Sequence, residues 1–428
     1  MKNIMLPYGK AFQTLCVEDS HTEVLQGHGD AENLSLEQQQ AVVLKAIQNP
    51  VAAPGLESLA AGKNTATILI SDHTRPVPSK LILPPMLAAL REGQPNMKIT
   101  LLVATGCHRG TSSKELTQKL GEELVQAEHI VVHDCDDESA LMPAGVLPSG
   151  APLLVNRLAV ETDLLLSEGF IEPHFFAGFS GGRKSVLPGV CGRTTVMQNH
   201  CAAFIDHPCA RTGILENNPV HTDMEAAARM VHLRWIVNVL MNQQKQVFNA
   251  FAGDPIQAHH AGCEVMRKLA CVHPSRKADI VITTNGGYPL DQNVYQCVKG
   301  LSTAEACAAE NAVIILCAQC VDGIGGEQFR AALQSTADPA ALLAQIRLIS
   351  ADQTMPDQWQ YQILARILAK HRILFVTEAS LRQAIEAMHM TYCPTVQAAL
   401  ELAYQSKGRN AHTLIIPDGV AVYCDYCD

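Results

Sequence analysis

The stretch DLLLSEGFIEPHFFAGFSGGRKSVLPG, residues 163–189, joins an apolar run to a glycine-rich loop that carries one imidazole and one lysine. The run DLLLSEG shows no apolar–polar alternation, so it reads as a strand buried on both faces, as in a parallel sheet. The same arrangement recurs upstream. TATILI (65–70) runs into SDHTRP, MKITLLVA (97–104) into TGCHRG, and HIVVHD (129–134) into CDDES. A repeated strand, polar loop and amphipathic helix predict an α/β fold, whose ligands gather at the carboxyl ends of the strands.

Further along, RWIVNVLMN (234–242) and QVFNAFAGD (246–254) read as a hairpin, followed by a helix to Ala270. HPSRKAD (273–279) reads as a linker. ADIVITT (278–284), AVIILC (312–317) and RILFVTE (372–378) then begin a second α/β set, and LIIPDG (414–419) closes either one. The expectation is two α/β domains with parallel-rich sheets and an active-site cleft between them. The first spans 1–272, completed by 395–428, and the second 276–392.

At 428 residues, 47% hydrophobic and 17% charged, the chain is globular and long enough for two cores. A net charge of −10 argues against a nucleic-acid partner. No apolar run reaches the ~20 residues of a membrane helix. The opening MKNIMLPYGK lacks a signal core, so a cytoplasmic protein without a membrane partner is expected. Fifteen irregularly spaced cysteines suggest reduced thiols. Two C-x-x-C pairs, Cys317/Cys320 and Cys424/Cys427, offer a four-thiolate zinc set, but Cys317 ends an apolar run and reads better as a buried small hydrophobe.

Glycines at 178, 181, 182 and 189 around Lys184 mean that backbone must approach something closely, or bend where a Cβ would clash. A phosphate-binding loop starting at Gly178 would need glycine at 183, where the chain has Arg183. Lys184 therefore has another task.

Candidate chemistry collects on the strand-end loops. His108 (ATGCHR) and His174 (EPHFF, flanked by Phe175 and Phe176) suit an acid/base pair working from two faces of one carbon. His200 reads as a helix histidine, either half-buried or a ligand to a soft metal. His73, His133 and His207 lie near the same loops, so spacing alone does not select the set. Arg75 has the planar fork for a carboxylate and Asp72 suits a ribose hydroxyl; a salt bridge within the loop is the competing reading. If a helix begins near Asp291, positions 292, 295, 296 and 299 share a polar face carrying Tyr295, Gln296 and Lys299.

These segments, with NNPVH (217–221) and NGGYPLDQNVYQCVK (285–299), resemble the nickel-pincer lactate racemase family in order and spacing over most of the chain. The resemblance implies a racemase or epimerase of 2-hydroxy acids. It also implies a nickel ion held in a pincer made from a modified pyridinium nucleotide, tethered to a lysine through a thioamide. On this resemblance Lys184 carries the tether, His200 is the protein ligand to nickel, and His108 and His174 alternate as acid and base. Arg75, Tyr295 and Lys299 hold the substrate carboxylate with Gln296 nearby. Asp72, Gly181, Gly182 and Trp359 contact or border the nucleotide. Cofactor-assembly and nickel-insertion enzymes are implied as partners.

Physical chemistry favours such a cofactor for such a substrate. Removing the α-hydrogen of a 2-hydroxy acid as a proton builds charge beside an ionised carboxylate, whereas removing it as hydride onto an electron sink does not. Two rival readings are a Schiff-base lysine at 184 acting on a 2-keto acid, and a non-catalytic nickel-binding protein using the histidines alone.

Overall fold

The computed structural model describes residues 2–17, 19–27, 33–242 and 244–424. The chain forms two compact units, neither of them one continuous segment. One comprises 29–199 and 214–268; the other comprises 1–28, 200–213 and 269–428.

The unit built from 29–199 and 214–268 is organised on a six-stranded sheet. Its order is Val247–Gly253, Leu233–Met241, Leu164–Phe170, Thr65–Ser71, Lys98–Ala104, His129–Val132. The strands pair in parallel, except that Val247–Gly253 runs antiparallel to Leu233–Met241 as the predicted hairpin. Leu164–Phe170 is buried at every residue, as its unbroken apolar run requires. Helices Leu36–Gln48 and Ser79–Gly93 pack Val43, Ile47, Ile82, Leu83, Met86 and Leu90 against Ile68, Ile70, Leu101, Val103 and Leu166. Truncating one of these, such as Leu83→Ala, would cost about 2–5 kcal/mol through lost burial and the cavity left behind.

The path of the chain through this sheet places the site. It moves outward from Thr65–Ser71 to Lys98–Ala104 and His129–Val132, then returns to set Leu164–Phe170 on the opposite side of Thr65–Ser71. Loops leaving adjacent strands in opposite directions open a crevice at the carboxyl ends. The loops with Asp72 and Arg75, with His108, and with His174 and Lys184 follow three neighbouring strands.

The other unit has a six-stranded sheet, parallel at every pairing, in the order Thr391–Cys393, Arg372–Val376, Ala308–Cys317, Ala278–Thr284, Thr413–Ile416, Thr22–Val24. Ile280, Ile282, Val313, Ile315 and Leu374 pack against Val396, Ala399, Leu400 and Ala403 of helix Val396–Lys407. The antiparallel pair Lys2–Tyr8 and Ala11–Val17 adds Ile4, Leu6, Leu15 and Val17 to the same core.

Two expectations need correction. Segment 395–428 does not complete the first sheet: Thr413–Ile416 pairs with Ala278–Thr284, and Tyr423–Cys424 with Cys271–Val272. Residues 1–28 and 200–213 also belong to this unit, because strand Thr22–Val24 extends its sheet and Gln362 donates to the Ala202 carbonyl at 2.8 Å. Likewise, the thiols are not all reduced: Cys307 and Cys424, 117 residues apart, form a disulfide. That separation carries no spacing signal. The bond also removes Cys424 from any zinc set, while Cys317 is fully buried in the core and Cys427 lies outside the described residues. Among the described residues, no helix is long and apolar enough to cross a membrane.

Candidate active site

The strand Thr65–Ser71 ends at Asp72, which is 1% exposed. Its Oδ1 accepts from the Thr74 amide (3.1 Å) and hydroxyl (2.7 Å), an Asx-type turn that shapes the loop. Oδ2 lies 2.8 Å from Nδ1 of His108. Burial by itself would raise the Asp72 carboxyl, but the bond and charge of His108 outweigh it and hold the group below the usual range. A carboxylate at that distance accepts the hydrogen bond from Nδ1–H, so in the neutral ring Nε2 of His108 presents a lone pair. The His108 side chain is 46% exposed, so that nitrogen can meet a ligand.

Arg75 is exposed, and its Nη1 donates to Thr74 Oγ1 at 2.9 Å. Its backbone is pinned from beneath. Lys119 Nζ donates to the carbonyls of Arg75 (3.1 Å) and Val77 (3.4 Å), and burial lowers the Lys119 pKa. Glu168 grips both ends of the loop, with Oε1 accepting from the Ser71 amide (3.3 Å) and the Ser79 hydroxyl (2.7 Å). Glu168 is fully enclosed, and burial raises its pKa.

His174 stands in the opposite protonation pattern to His108. The Ala177 amide donates to His174 Nδ1 at 3.2 Å, which fixes the lone pair there and leaves the ring proton on Nε2. Nε2 is 3.5 Å from Lys184 Nζ. Phe175 stacks on the imidazole at 5.1 Å between ring centroids, and Phe176 meets it edge-on at 4.6 Å. Lys184 Nζ lies 5.9 Å from the Phe176 ring centroid. A lysine, an imidazole and two phenyl rings make a partly dry pocket wall.

The glycines are explained by packing inside this unit. Gly181 has φ +78, and a Cβ there would come 2.5 Å from Asn238 Oδ1 and 2.9 Å from the Phe170 carbonyl. The Gly182 amide donates to Asn238 Oδ1 at 2.7 Å. This amide is therefore satisfied within the fold. Arg183 does not stand where a phosphate would lie; its side chain points inward and is 2% exposed.

The nearby histidines sort themselves by partner. His133 is buried between the Cys191 carbonyl and Asn156, and His73 bonds Thr111. His207 accepts from the Cys209 amide. These are structural uses.

In the other unit His200 is 5% exposed and follows the last residue of helix Arg193–Asn199, not lying within it as expected. Its ring meets Trp359 edge-on at 5.0 Å. Trp359 opens helix Gln358–Leu368, which also anchors the His200 segment through Gln362. Tyr295, Gln296 and Lys299 lie on helix Val294–Cys307, whose start is set by Asn293 accepting from the Gln296 amide at 3.0 Å. The helix begins three positions later than expected, so Gln292 is outside it. Val294, Cys297, Val298 and Leu301 are buried while 295, 296 and 299 are half-buried, so the polar face is real. Tyr295 Oη donates to Asp357 Oδ1 at 2.9 Å, and burial together with the Asp357 charge raises the phenol pKa. Gly325 (φ +75) lets the preceding loop pass, since a Cβ there would meet the Tyr295 Cβ at 2.8 Å.

Comparison with known proteins supplies the family. The model of the lactate racemase N-terminal domain matches residues 8–213, and that of the lactate racemase C-terminal domain matches 273–424. Lactate racemases from Thermoanaerobacterium thermosaccharolyticum and Lactiplantibacillus plantarum are 44% and 45% identical over 423 residues, 99% of this chain and of each relative. The chain belongs to the lactate racemase family.

It is thereby an isomerase. The solved lactate racemase apoprotein from T. thermosaccharolyticum superimposes with a TM-score of 0.96 at 43% identity, covering 99% of this chain and 100% of that one. A Thermotoga maritima protein shares the fold alone, at TM-score 0.63 and 18% identity. For this lactate racemase family member, motif reading found the residues that present groups outward. It missed the residues beneath them, Asp357, Glu168 and Lys119, and the bond between Asp72 and His108. The one available signal was the Asp72–Thr74 spacing of an Asx turn.

Proposed function

We propose that the chain racemises lactate or a closely related 2-hydroxy acid. The observation that carries this reading is the opposed tautomers of two imidazoles on the loops that follow the strands either side of Thr65–Ser71. His108 offers a lone pair at Nε2 and His174 an N–H. Inversion needs both at once: one group takes the hydroxyl proton as the planar 2-keto acid forms, and the other returns a proton when the second face is reduced. For the mirror-image substrate the roles exchange.

The residues fit the nickel-pincer nucleotide implied by the sequence resemblance. Lys184 is a half-buried amine beside His174 and Phe176, suited to a tether, and His200 is a nearly buried imidazole beside an indole, a donor nickel accepts. When bound, that group supplies an acceptor for the α-hydrogen as hydride. This chain's residues do the rest. Arg75 receives the substrate carboxylate with its fork, on a backbone held by Lys119. Lys299 adds an ammonium for substrate oxygens, with Gln296 and Tyr295 on the same face and the Tyr295 hydroxyl proton given to Asp357. Phe175 and Phe176, packed on the His174 ring, shield it from water.

The test is production with and without pincer-assembly and nickel-insertion enzymes. With them, a covalent mass should map to Lys184 and lactate enantiomers should interconvert. Full activity from unmodified chain plus nickel salt would refute the reading.

A further inference from the structure

Arg183 adjoins Lys184 but turns into the interior, and it organises the loop that presents that lysine. Nη2 donates to the Ala177 carbonyl at 2.7 Å, and Nη1 to those of Phe179 (2.8 Å) and Gly181 (3.2 Å). His259 Nε2 supports the same turn through the Ser180 carbonyl at 2.8 Å. The N–H on Nε donates to Nδ1 of His221 at 3.0 Å. His221 ends the NNPVH motif, whose Asn218 caps helix Pro219–Met230 and donates to the Phe176 carbonyl at 2.9 Å. That motif therefore grips the tether loop at two points.

An arginine N–H only donates, so Nδ1 of His221 holds a lone pair and its proton sits on Nε2. Nε2 is 3.5 Å from Oε1 of Glu225, one helical turn along, and His260 Nε2 approaches the same oxygen at 3.6 Å. By distance alone His221, Glu225 and His260 would suit a metal ion. The tautomer argues against it: coordination through Nε2 would require that nitrogen to lose its proton, and it would set a cation beside the buried guanidinium. The arrangement fits charge compensation instead. A guanidinium withdrawn from water is destabilised unless an anion answers it, and carbonyls are dipoles without net charge. Burial pushes Arg183 down to about 10, so it remains a cation at neutral pH, and Glu225 is a carboxylate whose charge reaches it while its other oxygen meets the exposed Arg229 at 3.1 Å. The His221 and His260 rings beside it hold Glu225 ionised, while burial chiefly keeps His221 neutral.

We infer that Glu225, acting through His221, is a positioning residue that neutralises Arg183 and thereby fixes the loop presenting Lys184. Its catalytic consequence rests on the tether reading of Lys184; its structural core does not.

The experiment uses the full chain purified without cofactor. In Glu225→Gln, amide hydrogen exchange of the 176–187 segment should rise about tenfold or more, while strand Lys98–Ala104 keeps its protection. His221→Phe should do the same, and the double variant should exchange no faster than either single, because the two act in series. Glu225→Asp should recover part of the protection, and it gives the same reading at smaller amplitude if Glu225→Gln does not fold. In cofactor-loaded enzyme the Glu225→Gln change should lower kcat severalfold and leave KM nearly unchanged. Parental exchange in Glu225→Gln, or additive effects in the double variant, would overturn the inference. A loosened loop without any mass on Lys184 in parent or variant would instead sink the tether reading and leave this assignment standing.

Discussion

Asp72 and His108, which follow two adjacent strands, are joined by a 2.8 Å bond between Oδ2 and Nδ1. The pairing is a tertiary consequence of parallel strands Thr65–Ser71 and Lys98–Ala104 ending in register, Ser71 opposite Ala104. It converts an ordinary loop histidine into one with a defined base-bearing nitrogen.

Asp72→Asn keeps the shape but replaces a pure acceptor with a group that also donates, which favours the wrong His108 tautomer. We expect kcat to fall at least about a hundredfold with a smaller change in KM. Because the folded Asp72 pKa lies below its unfolded value near 4, its stabilisation is complete above that pH and is lost as pH falls further. Steady-state kinetics and acid unfolding of parent and variant check both statements. Parental kcat in Asp72→Asn would remove Asp72 from the site.

His259 is fully buried, and burial followed by the Arg183 charge sets its pKa well below the ordinary value. The unfolded chain takes up a proton near pH 6.5 that the folded chain refuses, so stability is present above that pH and declines below it. His259→Gln keeps a donor for the Ser180 carbonyl and should remove about 1.4 kcal/mol per pH unit from the slope below pH 6. Urea unfolding at several pH values reads this directly, and an unchanged slope would contradict it.

Removal of His200 and removal of His174 should be separable. On the proposed roles, His200→Ala loses nickel from loaded protein, whereas His174→Ala keeps both nickel and the Lys184 adduct while losing most turnover. Metal analysis and intact mass of the two variants decide the matter, and nickel retained at parental level in His200→Ala would reject the ligand role.

Arg75→Lys retains the charge but loses the bidentate fork. KM for the 2-hydroxy acid should rise roughly tenfold or more, with kcat less affected. A KM within twofold of the parent would show that the carboxylate is held elsewhere.

Carbon-bound hydrogen that travels as hydride does not exchange with water at neutral pH, whereas a proton on an imidazole does. Substrate deuterated at the α-carbon should keep its label through racemisation in ordinary water. Label washed out in step with inversion would mean proton abstraction by His108 or His174 and would end the hydride reading.

By itself the sequence determined the six strands of the first sheet and the four central strands of the second, though not its edge strands Thr391–Cys393 and Thr22–Val24. Unbroken apolar runs such as DLLLSEG and TATILI demand burial on both faces, and the polar loops after them must then lie at strand ends. The amphipathic spacing of Tyr295, Gln296 and Lys299 was legible because helical periodicity is local. Contacts between segments distant in the chain were not. Nothing local tells that Thr413–Ile416 would insert beside Ala278–Thr284, that Cys307 would find Cys424, or that Arg183 would turn inward to meet His221. Those outcomes depend on which strand edge remains open and on where a buried charge finds its partner. Both are settled by the assembled sheet and the low-dielectric interior around it, and so only tertiary structure decided them.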